Sequence, residues 1–119
     1  MNIGTTIATA FQTACDVEKR TREAAEQFHR DHVKPVYRAA QAGEATFDDS
    51  CAAEEAYDEY TMAHFDALKT MLATPAPTMS AVIHKIEVGC KERCFDGPDV
   101  TYPALKLIAA DLRRLSGEA

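Results

Sequence analysis

From Ile3 onward, apolar side chains recur at Ile7, Ala10, Ala14, Val17, Ala24 and Phe28, with Thr21 in the same series. Steps of three and four place these residues along one face of an α-helix. The pattern can be followed to about residue 42, where Gly43 supplies a C-terminal stop. Pro35 falls inside this stretch, lacks a donor N–H and crowds the carbonyl of Asp31. A kink near residues 31–35, or a break into two helices, is therefore expected.

A second helix is predicted from Thr46, which with Asp49 forms a capping box using Asp in place of the usual Glu. Its stripe runs Phe47, Cys51, Glu54, Tyr57 or Asp58, Thr61, Phe65, Leu68 and Leu72. The middle of that stripe is polar, so the sequence leaves open which face of residues 46–73 is buried. A linker of about three residues between the two helices folds them into a long antiparallel hairpin. Thr74-Pro75-Ala76-Pro77 then ends the second helix as a stiff extended connector.

Thr78 is suited to cap a third helix with the stripe Met79, Val82, Ile83, Ile86, Cys90 and Cys94, ended by Asp96-Gly97-Pro98. A fourth helix follows, with Pro103 near its first turn and the stripe Leu105, Ile108, Leu112 and Leu115. The chain thus reads as all-α, one domain over residues 1–119. It comprises a hairpin (1–73, kinked near Pro35), the connector (74–77) and a two-helix C-terminal part (78–119). A helix of about 38 residues would span nearly 60 Å. The two short helices cover only part of such a hairpin. The uncovered apolar stripe needs another surface, and a bundle completed by homodimerisation is the simplest closed solution.

Composition adds little beyond limits. A chain of 119 residues suits one domain with a small core. The net charge of −6 is unevenly placed: residues 1–77 hold seven Lys/Arg against thirteen Asp/Glu, and residues 78–119 hold six of each. Between residues 17 and 38 there are six basic and four acidic residues; between 44 and 66 there are eight acidic and no basic ones. Hairpin folding would set these stretches face to face, favouring register more than stability. No basic face of the kind nucleic-acid binders carry is evident. The first Lys or Arg is Lys19, so a basic leader region is missing, and no apolar run is long enough for a membrane helix. A cytoplasmic protein is expected. Its four cysteines, Cys15, Cys51, Cys90 and Cys94, read as reduced small hydrophobes near helix interfaces.

Few constellations suggest chemistry. Glu26 and His29 form a Glu-x-x-His step that puts a carboxylate and an imidazole on one helix face, as carboxylate-bridged di-metal bundles do. Such a site needs a second step, which a symmetric dimer would provide, and the hairpin would bring the region of Glu59, and His64, opposite. The alternative is a solvated helix face. His29 and His32, three apart, could grip a metal together, or His32 could be a partly buried histidine beside the kink. His64 and His84 have no partner nearby in sequence. Cys90 and Cys94 lack the second ligand pair of a zinc site and are read as thiols facing the hairpin. No nucleophile elbow, phosphate-cradling glycine loop or Ser/His/Asp arrangement occurs. The acidic stretch 44–66 has one sharper reading, as a mimic of the DNA phosphate track, set against a solvated and partly paired face.

Three segments carry a resemblance: Leu72-Ala73-Thr74-Pro75-Ala76-Pro77, the Asp96-Gly97 turn, and Asp111-Leu112-Arg113-Arg114-Leu115. With an Ala/Glu-rich helical region ahead of them, they resemble small uncharacterised helical proteins of alphaproteobacteria and their prophages. The resemblance covers about 45 residues and implies a bacterial or phage setting and an accessory protein; no residue receives a role from it. Taken together, the sequence suggests a non-enzymatic accessory protein acting through protein–protein contacts, with no cofactor, no nucleic acid and no membrane involved. A metal-binding helical bundle using Glu26 and His29 across a dimer, and a DNA mimic or regulator using the acidic second helix, are the alternatives.

Overall fold

The computed structural model describes residues 3–95 and 104–117, all helix or connecting turn, with no strand among the described residues. Helix α1 spans Ile3–Phe28, a π-helical segment spans His29–Val33, α2 spans Lys34–Gln41, α3 Phe47–Ala73, α4 Met79–Lys91 and α5 Ala104–Leu115. None of the described helices is long and apolar enough to cross a membrane. The all-α expectation thus holds. The Asp96-Gly97-Pro98 turn and Pro103 lie outside the described residues.

The kink expected near Pro35 is not what the structure shows. α1, the π-helical segment and α2 follow one another without an intervening residue. The Lys34 N–H donates to the His29 carbonyl five residues back, so the turn ahead of the proline is widened rather than broken. A π turn relieves the ring–carbonyl crowding by changing which carbonyl each N–H must meet, while Pro35 itself sits at the start of α2 where its missing donor costs little.

The described chain packs as two compact units, residues 1–15 with 69–119, and residues 16–68. The connector 74–77 therefore lies inside the first unit. In the second unit, α2 stops as Gly43 implies. Gly43 adopts φ +77°, its N–H donates to the Ala40 carbonyl (3.2 Å), and the Glu44 N–H donates to the Ala39 carbonyl (2.7 Å). The start of α3 is a reciprocal capping box. The Thr46 N–H donates to Asp49 Oδ2 (2.9 Å) and the Asp49 N–H donates to Thr46 Oγ1 (3.1 Å). The bond from the Thr46 N–H, and then the Thr46 hydroxyl beside the carboxylate, lower the Asp49 pKa below its usual value.

The buried face of α1 is rotated from the stripe the sequence suggests. Phe11, Ala14, Glu18 and Ala25 are buried, whereas Ala10 and Ala24 are exposed. In the first unit Met71, Leu72, Ala76 and Val82 form the tightest part of the core. Thr78 caps α4, its hydroxyl accepting from the Ala81 N–H at 3.1 Å. α4 ends at Lys91, earlier than expected. There Arg93 takes the left-handed conformation (φ 61°), and the N–H groups of Arg93 and Cys94 donate to the carbonyls of Cys90 and Gly89. The Phe95 ring then folds onto Gly89, where a Cβ would come within 2.6 Å of the ring tip.

Helices α4 and α5 depart furthest from expectation. α4 buries Ala81, Val82, Lys85, Val88 and Gly89, leaving Met79, Ile83 and Ile86 exposed. α5 buries Ala104, Ile108 and Asp111, leaving Leu105 64% and Leu112 40% exposed. The cause is a buried ion pair. Lys85 Nζ donates to Asp111 Oδ2 at 2.6 Å and to the Leu72 carbonyl at 2.9 Å, while the Ala76 N–H donates to Asp111 Oδ1 at 3.0 Å. Arg114 bridges Asp111 Oδ1 (3.1 Å) and the Ala76 carbonyl. Lys85 Nζ also lies 5.7 Å from the centre of the Phe11 ring. Four elements thus meet at one pair of charges: the end of α3, the connector, α4 and α5.

Removing one partner of such a pair leaves the other charge buried without compensation. Asp111→Ala is expected to cost about 3–5 kcal/mol, read as a lowered urea midpoint. At the capping box the lowered Asp49 pKa fixes the sign of a pH effect. The contribution of Asp49 to stability is complete above the unfolded-state pKa and is lost as the pH falls through the lower folded-state pKa. The destabilisation caused by Asp49→Ala at neutral pH should therefore shrink as the pH is lowered and the Asp49 carboxylate becomes protonated, in thermal melts recorded across pH.

Candidate functional site

Within the second unit, the last turn of α1, the π-helical segment and α2 carry Glu26, His29, Arg30 and Lys34 onto one side, and α3 supplies Tyr57. These five residues line an open groove of about 340 Å³. Its wall is fixed by aromatic packing. Phe28 stacks on Tyr60 (centroids 4.5 Å apart, planes at 19°) and lies parallel to Tyr57 at 6.4 Å. The His29 ring tilts against Tyr57 at 5.1 Å, and His32 rests on Phe28 at 4.8 Å.

Glu26 and His29 therefore share a groove, as their spacing implies, and Glu26 is the one carboxylate among its lining residues. Among the described residues no group of three or more His, Cys, Asp or Glu is placed to hold a metal ion. Glu59 does not line the groove, and Arg30 and Lys34 do. Two cations beside one carboxylate favour an anion over a divalent metal. His29 and His32 pack on different rings rather than converging, and His32 is exposed rather than partly buried. The expected pairing between basic and acidic stretches is not seen at this level: among the described residues Arg30, Lys34 and Arg38 have no ion-pair partner within 4.0 Å, nor do Glu54, Glu55 and Glu59. Aromatic contacts, rather than charges, join α1 to α3 at this level.

His64 does not face Glu26. It meets Glu18, with Nε2 2.8 Å from Oε2, and Glu18 is only 1% exposed. Arg22 Nε also lies 3.2 Å from the same oxygen, but its N–H is aimed at no acceptor, so the bond to His64 is the better formed of the two. Sequence reasoning missed Glu18. The available signal was Phe11, the largest apolar residue of that stretch, which lies outside the chosen stripe; a stripe centred on it includes Ala14 and Glu18. For Lys85 and Asp111 no comparable signal exists, because each is a lone charge whose partner is 26 residues away.

The thiols contribute no evident chemistry. All four are unpaired in disulfides. Cys90 is exposed rather than turned inward, and Cys94 lies past the left-handed turn instead of one helical turn further along α4. Burial, then the nearby Glu92 and Cys90, pushes the Cys94 thiol up, which disfavours the thiolate a nucleophile would need.

His64→Leu removes the partner that best satisfies the buried Glu18 carboxylate and is expected to cost about 2 kcal/mol in chemical denaturation. Glu18→Gln, which keeps an acceptor for the imidazole, should cost clearly less. Comparison with protein-family models, with curated proteins and with solved structures finds no match to this chain.

Proposed function

We propose that this protein is a non-enzymatic accessory module that works by contact, and that its contact face is the outward side of α4 and α5. The observation that carries this reading is the exposure of Met79, Ile83 and Ile86 on α4 and of Leu105 and Leu112 on α5. Positions 79, 83 and 86 share one helical face, and positions 105 and 112 share another. The two faces meet where Met79, Leu112 and Leu115 line an open groove of about 340 Å³ with Arg113 and Ser116. Exposed apolar side chains gathered on neighbouring helices are what an interaction face presents.

The partner in this reading is a second copy of the chain, and burial of the two α4–α5 faces against each other completes a helical bundle. α1–α2 and α3 form an antiparallel hairpin in the same reading, supported by the Phe28–Tyr60 stack and the Glu18–His64 bond. The unpaired carboxylates Glu54, Glu55 and Glu59 would bias encounter away from acidic surfaces.

Sedimentation equilibrium tests this directly. The wild type is expected at twice the chain mass, and Ile83→Glu at the monomer mass with an unchanged helical circular dichroism spectrum. A monomeric wild type, or an Ile83→Glu variant that still dimerises, would refute the reading.

A further inference from the structure

We propose that the groove beside the π-helical turn binds a small phosphomonoester that carries a hydroxyl or ammonium group at its far end. This site is separate from the α4–α5 contact face, and neither proposal depends on the other.

The inference starts from what lines the groove: Arg30 and Lys34, the imidazole of His29, the Tyr57 ring and Glu26. Among the described residues, Arg30 and Lys34 meet no partner in an ion pair or side-chain hydrogen bond, and neither does Glu26. These groups are uncommitted although α3 carries many carboxylates. The two cations are four residues apart across the π-helical segment and α2, so both reach one side of the helical run. A guanidinium forks onto two phosphate oxygens while an ammonium acts as a point charge, and together they balance a dianion. His29, held by Tyr57, offers a further nitrogen at the same wall.

Glu26 sets the second half of the specificity. A carboxylate in an anion site repels a bare anion but accepts a hydrogen bond from a hydroxyl, or pairs with an ammonium, at the other end of the ligand. The groove volume of about 340 Å³ lies at the lower end of the range for small-ligand sites, which limits the ligand to a compact molecule. Net charge sharpens the argument. At −6 the chain as a whole repels phosphate, so any binding must come from local geometry rather than from a general attraction.

The test is a titration of ¹⁵N-labelled protein at low ionic strength, first with inorganic phosphate and then with O-phosphoethanolamine. Saturable shifts are expected on residues 26–34 and on Tyr57, with O-phosphoethanolamine binding several-fold more tightly. Arg30→Gln and Lys34→Gln should each weaken both ligands about tenfold, as loss of one charge-assisted contact implies. Glu26→Gln should abolish the advantage of O-phosphoethanolamine and leave phosphate binding intact, while Lys19→Gln changes nothing. All four side chains are exposed, so the fold should survive each change. Absence of saturation by about 10 mM of either ligand, shifts spread over the lysines and arginines in general, or binding that survives the double Arg30→Gln/Lys34→Gln change would overturn the proposal.

Discussion

One buried pair of charges, Lys85 and Asp111, determines how the first unit is built. Lys85 is 1% and Asp111 4% exposed, and removing two such charges from water is costly. The cost is offset by further bonds on both sides of the pair: from Lys85 to the Leu72 carbonyl, and to Asp111 from the Ala76 N–H and from Arg114. Two of those partners are backbone groups at the end of α3 and in the proline-flanked connector, where the chain has left helical hydrogen bonding. The ion pair thus supplies partners to backbone atoms that the connector would otherwise leave unsatisfied. Prolines at 75 and 77 stiffen the segment around Ala76 and hold that N–H where Asp111 meets it.

The same pair explains why the outer surface is apolar. A helix turns only one side inward, and turning Lys85 and Asp111 inward sends Ile83, Ile86, Leu105 and Leu112 outward. Hydrophobic burial alone would turn more of these side chains inward beside Val82 and Ile108. An apolar isostere at these two positions would lose the polar bonds to Leu72 and Ala76, so the choice is made by the connector's needs as much as by the charges. A face left over in this way is a natural contact surface, which links the internal bond network to the proposed mode of action.

The second unit rests on a different device. Proline at 35 and the widened turn before it keep α1 and α2 in one helical run while shifting the phase of the side chains past His29. Phe28 sits at that junction and stacks on Tyr60, fixing α3 alongside α1. Glu18 and His64 supply a second tie between the same helices ten residues earlier on α1. The groove of Glu26, His29, Arg30, Lys34 and Tyr57 lies between rigid aromatic packing and the π-helical turn, so its charged groups are presented by a fixed backbone.

Local rules were enough to read the helices themselves. Periodicity, Gly43, the Thr46–Asp49 box, Thr78 and the Thr-Pro-Ala-Pro connector depend on neighbouring residues, and their physics acts over one or two turns. The effect of Pro35 was legible as a disturbance but not as a π turn, because a kink and a widened turn relieve the same crowding. Which side of each helix faces inward was decided only by tertiary structure. Apolar periodicity on α4 and α5 found Val82 and Ile108, which are buried, together with Met79, Ile83, Ile86, Leu105 and Leu112, which are exposed, since it counts hydrophobic residues and cannot see that two lone charges 26 positions apart will satisfy each other. The groove was half legible, through Glu26 and His29; Arg30, Lys34 and Tyr57 joined it only when the widened turn set their phase and α3 came alongside. Sequence by itself therefore determined that these segments are helices and where the chain turns at Gly43, Thr46 and Thr78, because capping and chain stiffness are local. Tertiary structure determined their rotations and the site, because buried charge is tolerated only where distant partners meet it.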